Sequence, residues 1–326
     1  MADLKLVFAC GAYDRIEPLR QKKVVAKGID LEVNSDYSPR ELFDRLMEKD
    51  DFDLAEFSSS EHIAMTSLGK SPFVALPVFL SKVFRHGYIT INKTRGITKP
   101  KDLEGKRIGV PLYTMSAALW CRGVLEDDYG VDLSNVTWVQ GAVEKPGPHG
   151  SPGAPPLLKP VKMEQNNSSY SLGQLLARGE IDAIVGGVNP EELWTDPNVV
   201  RLWPNFREIE KDFYRRTKIH PIMHLLVIRK HVYEKNPWIA KPLYEAFNAA
   251  KNLAWKQACY NGAQKYMLPF LYDDIEEVND VFGGDPWPYG LTKNRPALEK
   301  GIELMHRHNM IGRKPSLSDL FIDVET

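Results

Sequence analysis

The chain has 326 residues, 43% of them hydrophobic and 26% charged, and its 42 Lys and Arg against 43 Asp and Glu leave a formal net charge of -1. That balance offers no basic field to recruit nucleic acid or an anionic membrane surface, and the composition suits a chain with a sizeable buried core rather than a disordered one. No apolar stretch reaches the roughly 20 residues that a bilayer span needs, while the length accommodates two domains of roughly 100–200 residues each.

In chain order, Leu4 to Ala9 reads as a first strand. No basic n-region, apolar h-region or small-residue cleavage site precedes it, so the expected compartment is the cytoplasm. Ile29 to Val33 is a second strand. Ser38-Pro39-Arg40-Glu41 then sets a capping box with Pro at the first helical position, followed by the apolar stripe Leu42, Phe43, Leu46 and Met47. Phe52 to Phe57 is a third strand running into Ser58-Ser59-Ser60-Glu61-His62, and Phe73 to Phe79 and Tyr88 to Asn92 are further β-rich runs.

Around residues 95–106 the chain crosses to a second lobe. There Arg107 to Val110 is a strand, Pro111 ends it, and a helix is expected from about Thr114 to Leu125. Val136 to Val139 is a strand, Ser171 and Gln174 form a capping box, and Ile181 to Val185 is the next strand before Gly186-Gly187. The return crossing falls between Gly187 and Met223. Leu225 to Arg229 is then a strand of the first lobe, Trp238 to Gln257 a long amphipathic helix, Arg295 to His308 another, and Ser316 to Phe321 a short last one. The expected lobes are 1–94 with 223–326, and 95–222. Alternating strands and helices imply an α/β fold with mostly parallel sheets. Lys145 to Lys162 breaks the pattern: six prolines and three glycines exclude a helix or a central strand. It reads as a surface loop, with a lid or a subunit contact as the functional alternative.

Open parallel sheets bind ligands beyond the carboxyl ends of their strands. That rule selects Tyr13, Asp14 and Arg15, the run Ser58 to His62, which includes Ser59, Tyr113 to Ser116, and Gly186 to Asn189. The start of a helix at Thr114 to Ser116 presents free N–H groups and a favourable dipole to an anion, and simple capping is the alternative use. Arg85-His86 is a charged pair between β-rich runs. His220 and His224 are four apart, a spacing that can serve a metal, yet no H-E-x-x-H pattern accompanies them. His149 and His231 read as incidental. Cys10, Cys121 and Cys259 are far apart and form no C-x-x-C pair, as in a reducing compartment. No nucleophile elbow, P-loop or dinucleotide fingerprint is present, so neither cofactor nor metal is expected.

Several runs carry a resemblance: Tyr13-Asp14-Arg15, Ala75 to Ser81, Val83-Phe84-Arg85-His86, Asp102 to Pro111, Trp120 to Gly130, Pro221-Ile222-Met223-His224, Trp287 to Leu291 and Asn294-Arg295. They span nearly the whole chain in order, and through them the chain resembles the 4,5-dihydroxyphthalate decarboxylases. The resemblance implies a two-lobed, type II periplasmic-binding-protein-like fold with the ligand cleft between the lobes. It also implies a cofactor-free aromatic acid decarboxylase whose substrate is a small aromatic carboxylate. Within that chemistry His86 and His224 are expected to move protons, with Glu61 and His62 in reserve. Arg85 and Arg15 would clamp a carboxylate with help from Tyr113, Thr114 and Ser116; Asp14 would orient Arg15 or a histidine; and Ser59 and Asn189 would complete the binding wall. The alternative is a non-catalytic binding protein or sensor for an aromatic carboxylate. Aromatics near Trp287 and Tyr289 would pack either onto a lobe or onto a second copy in a homo-oligomer.

Overall fold

The computed structural model describes residues 3–324. Eleven strands are assigned among them: β1 Leu4–Ala9, β2 Ile29–Asn34, β3 Leu54–Ser58, β4 Phe73–Lys82, β5 Ile89–Asn92, β6 Arg107–Val110, β7 Thr137–Gln140, β8 Met163–Gln165, β9 Ala183–Val185, β10 Val199–Arg201 and β11 Ile222–Arg229. They form two sheets, β2-β1-β3-β11-β4 and β10-β5-β9-β6-β7-β8. In the first, β1 pairs in parallel with β2 and β3, and β11 runs antiparallel to both β3 and β4. In the second, β6 to β9 are parallel, and β5 runs antiparallel to both of its neighbours, β9 and β10. This two-sheet α/β architecture is the one the sequence implies, with one antiparallel strand, β11, inserted between β3 and β4 of the first sheet.

Sheet membership moves the first crossing upstream. Ile89–Asn92 pairs with β9 and β10, so the chain leaves the first sheet after Lys82 and has joined the second by Ile89, rather than at residues 94 and 95. The return lies between β10 and β11. Two three-residue strands, β8 and β10, have no counterpart in the sequence reading.

Seven helices of eight residues or more pack on these sheets: α1 Pro39–Glu48, α2 Ser59–Ser67, α3 Ser116–Asp127, α4 Phe206–Thr217, α5 Ala240–Ala258, α6 Leu271–Phe282 and α7 Arg295–Arg307. The α5 stripe Leu243, Phe247 and Ala250 is fully buried against Phe8, Leu76 and Leu80 on one face of the first sheet. On the other face Phe57, Phe79 and Leu225 join Trp120 of α3 and Leu304 of α7 in one continuous core. Gly123 allows that approach, because a Cβ there would sit 2.5 Å from Leu304 Cδ1. Trp120 Nε1 also donates to the Ile222 carbonyl at 3.2 Å. A helix of the second lobe is thereby fastened to β11 of the first. Trp287 donates from Nε1 to the Phe79 carbonyl at 2.8 Å and Tyr289 is buried, so these aromatics pack onto the first sheet of their own chain.

Lys82, the last residue of β4, is 3% exposed and donates to Asn294 Oδ1 at 2.7 Å. Burial pushes its ammonium down to about 7, against a pull upward from Asp285. The unfolded chain holds that proton to a much higher pH, so the folded state should gain stability as pH rises from 7 toward the ordinary lysine value. Urea unfolding at pH 7 and 9.5 should show wild type gaining roughly 1–3 kcal/mol relative to Lys82→Met. Parallel stability curves for the two proteins would show that Lys82 is charged throughout.

Candidate functional site

A cavity of about 800 Å³ lies where the strand ends of the two sheets face each other. Tyr13, Ser58, Ser81, Arg85 and His224 line it from the first sheet and its connections, and Pro111, Met115, Ser116 and Gly187 from the second. Phe43 and Arg40 of α1 and the segment Ala142 to Gly150 complete the wall. The volume is in the range of small-molecule sites.

Beneath His224 lies a carboxylate that the sequence reading passed over. Glu56 sits in the middle of β3 and is fully buried. Its Oε1 accepts from the Tyr13 hydroxyl at 2.5 Å and pairs with His224 Nδ1 at 2.6 Å, and its Oε2 accepts from the Gly11 N–H at 2.8 Å. Burial alone would push this carboxyl up. The hydrogen bond and charge of His224, with Tyr13 and Gly11, outweigh it and hold the carboxyl below the usual range. Burial, and next the Glu56 charge, push the Tyr13 phenol up, so Tyr13 stays a donor. The signal was present in Leu54-Ala55-Glu56-Phe57: a carboxylate inside an apolar strand is costly unless something pairs with it.

Local irregularity aims the histidine. The β11–β4 register shifts on both sides of His224, and such bulges re-aim side chains beside active sites. The Phe43 ring meets the imidazole edge-on at 5.0 Å.

Arg85 faces the same space. It is 5% exposed, its Nη1 donates to the Gly187 carbonyl at 3.3 Å, and its guanidinium lies over the Tyr88 ring at 4.6 Å. Among the described residues no carboxylate forms an ion pair with it. A buried guanidinium on a cavity wall that forms no ion pair is chemically able to hold a carboxylate. Between the lobes, Ser116 Oγ contacts Ser59 Oγ at 3.1 Å and accepts from the Ser60 N–H at 3.1 Å, while Ser60 Oγ donates to the Thr114 carbonyl at 2.8 Å. These serines join the starts of α2 and α3. The second of these helices begins at Ser116, two residues later than the sequence suggests.

Other expected site residues lie elsewhere. His86 is 1% exposed and packs between Trp203 and Phe213 with both ring nitrogens free of hydrogen bonds; burial pushes it down to about 4, so it is a neutral core residue. His62 Nε2 bonds the Leu320 carbonyl at 3.0 Å, facing the C-terminal segment. Arg15 is a brace: it donates to the Leu80 carbonyl and is held between the rings of Tyr13 and Trp287, at 4.1 and 4.3 Å. Asp14 bonds Arg15 and accepts from Tyr266 at 3.2 Å. Tyr113 is covered by Arg122, 3.8 Å from its ring, and neither Thr114, Ser59 nor Asn189 reaches the cavity wall. His220 stacks on Phe84 at 4.6 Å and does not converge with His224. His149, read as incidental, lines the cavity. Of the expected set, the structure brings His224, Arg85, Ser116 and Glu61 to one wall.

A family model described as NMT1/THI5 like matches residues 25–145. The chain is 34% identical over 322 residues to a 4,5-dihydroxyphthalate decarboxylase of Comamonas testosteroni, covering 98% of this chain and 97% of that one. The chain belongs to the 4,5-dihydroxyphthalate decarboxylase family. A second family member, from Pseudomonas putida, is 38% identical over 66% of this chain and 83% of its own. The fold is shared with the periplasmic aliphatic sulphonate binding protein SsuA from Escherichia coli, at TM-score 0.55 and 11% identity over 99% and 93% of the two chains. It is also shared with a Candida albicans protein of the generic periplasmic binding protein fold, at TM-score 0.55 and 12% identity over 98% and 96%. Among the described residues no helix is long and apolar enough to cross a membrane.

In this family member the proline-rich segment is a strap. It leaves the second sheet after β7, passes over the cavity with Pro148, His149 and Gly150, and rests on the first lobe before returning to β8. Gly153 N–H donates to Glu61 Oε2 at 2.9 Å and Ser151 N–H to Asp44 Oδ2 at 3.2 Å. Arg40 bridges both carboxylates, at 2.8 and 2.7 Å. Gly150, at φ +95°, lies so close to this group that a Cβ would be 2.7 Å from Arg40 and Asp44. Glu61 is therefore a fastening for the strap rather than a free acid or base. Losing one charge-assisted hydrogen bond costs about 1.5–3 kcal/mol. Glu61→Ala should accordingly speed cleavage within 145–156 by a broad-specificity protease about tenfold or more. Unchanged cleavage would mean that Asp44 alone holds the strap.

Proposed function

We propose that this protein removes one carboxylate from 4,5-dihydroxyphthalate or a close analogue, giving 3,4-dihydroxybenzoate and carbon dioxide. The observation that carries the reading is one cavity wall presenting an unneutralised guanidinium, Arg85, and a histidine backed by a buried carboxylate, His224 on Glu56. Membership of the family supplies the substrate class. The three unpaired cysteines suit a reducing compartment, in keeping with work in the cytoplasm.

The chemistry follows from the ring. Each carboxylate is para to a hydroxyl, whose oxygen pushes electron density onto the carbon bearing that carboxylate. A proton delivered to that carbon makes it tetrahedral. The bond to the carboxylate then breaks, its electron pair restores the aromatic ring, and carbon dioxide leaves. The hydroxylated ring serves as its own source of electron density, the task that a cofactor performs in other decarboxylations. Arg85 holds a carboxylate of the substrate, His224 handles the proton, and the strap keeps water from the site. The remaining wall, from Phe43, Met115 and Met223, suits an aromatic ring.

Purified protein mixed with 4,5-dihydroxyphthalate should produce the ultraviolet spectrum of 3,4-dihydroxybenzoate and release carbon dioxide in equal amount. Arg85→Met should raise KM about tenfold or more, as expected for loss of a charged hydrogen-bonded clamp. His224→Asn should lower kcat by about 10²–10⁴ with a far smaller change in substrate affinity. Saturable binding with no carbon dioxide would instead establish a binding protein.

A further inference from the structure

We infer that His149, on the strap, is a specificity-determining residue that hydrogen-bonds the ring hydroxyls of the substrate while Arg85 holds a carboxylate at the other end of the cavity. The inference rests on the proposed substrate class for what fills the cavity, and on the layout of the cavity wall for how the substrate lies in it.

The wall can be traced from contact to contact. Arg85 Nε donates to Met223 Sδ at 3.2 Å, and His224 follows Met223 in β11. The Phe43 ring meets His224 at 5.0 Å, and the Arg40 guanidinium lies 5.4 Å from the Phe43 ring. Gly150 of the strap packs on Arg40 and Asp44, and His149 directly precedes it. Arg85 and His149 thus stand at the two ends of this series, with His224 between them.

Charge follows the same order. Among the described residues the carboxylates that line the cavity are Glu41, Asp44, Glu61 and Glu144. All of them belong to α1, the start of α2 or the strap, and none comes from the segments around Arg85. Arg40 spends its charge on Asp44 and Glu61, and Lys145 is exposed beside Glu144. The cavity therefore has a cationic end and an acid-rich end. A substrate carboxylate is drawn to the first and repelled by the second. An aromatic acid whose hydroxyls lie across the ring from its carboxylates aligns with the hydroxyls toward the strap.

His149 is held where it can meet them. The Gly147 carbonyl, two residues before it, accepts from the Ala142 N–H at 2.8 Å, and the Ser151 N–H, two residues after it, donates to Asp44 Oδ2 at 3.2 Å. Pro148 further restricts the backbone between these anchors. The half-buried ring lines the cavity, and among the described residues it makes no hydrogen bond or ion pair. Neutral or charged, an imidazole offers at least one N–H to a hydroxyl oxygen. A site that hydrogen-bonds a substrate hydroxyl rejects the analogue lacking it, because its own polar group is then left unpaired.

Titration calorimetry of the full chain with 3,4-dihydroxybenzoate and with benzoate tests this without turnover, since benzoate keeps the carboxylate and lacks the hydroxyls. Wild type should bind 3,4-dihydroxybenzoate about fivefold or more tightly than benzoate, the scale of one neutral hydrogen bond. His149→Phe keeps a ring on the strap and removes both nitrogens. It should weaken 3,4-dihydroxybenzoate about fivefold and change benzoate less than about twofold, with KM for 4,5-dihydroxyphthalate rising in step. His149→Gln restores a donor and an acceptor and should recover part of the preference. Arg85→Met should weaken both ligands alike. Wild type that does not distinguish the ligands, His149→Phe that weakens both alike or neither, or Arg85→Met that weakens neither would overturn the inference. A preference that depends on His149, in a protein that releases no carbon dioxide from 4,5-dihydroxyphthalate, would uphold the inference and reject only the decarboxylation.

Discussion

A carboxylate buried at the centre of a sheet has to be satisfied, and much of the site's layout follows from how this one is. Glu56 draws the loop after β1, through Gly11 and Tyr13, and β11, through His224, onto one side chain of β3. Three segments far apart in sequence are thereby set at fixed distances. Because β11 runs antiparallel between β3 and β4, its Ile222–His224 end meets the carboxyl end of β3 and the end of β4. An all-parallel sheet would have put the histidine at the opposite edge.

The second lobe is tied in by different means. Serines at the starts of α2 and α3 share hydrogen bonds across the lobes, and Trp120 fastens α3 to β11. On the outer side, Arg207, Lys211 and Arg215 of α4 pair with Asp274, Glu277 and Asp280 of α6. These exposed pairs are individually weak and screened by salt. The serine junction and the aromatic core are the more persistent ties.

Much of the architecture was legible because strand and helix periodicities differ and because turn residues punctuate them. Ser38-Pro39 and Ser171 with Gln174 marked helix starts, and the rule that ligands sit beyond strand ends led to several of the segments that line the cavity. Within those loops the sequence could not say which way a side chain turns. His86 and Arg85 are neighbours, yet one is sealed between Trp203 and Phe213 while the other faces the cavity. Arg15 read as a clamp because a guanidinium after a strand usually meets solvent or ligand; here Tyr13 and Trp287 enclose it. Glu56 was hidden by its partners, which arrive from 43 and 168 residues away. Helices α4 and α6 escaped notice because charges dominate their outer faces.

The prolines of the strap have a second physical effect, on assembly rather than on the cavity. The second sheet ends in β8 on one side and β10 on the other, each three residues long. An open strand edge is a template for another chain. Pro160 lies shortly before β8, with Pro155 and Pro156 further upstream, and none carries a backbone N–H, so these positions cannot donate to a neighbouring strand. The segment that lines the cavity thus also keeps one open strand edge of the second sheet short, which limits edge-to-edge pairing between chains.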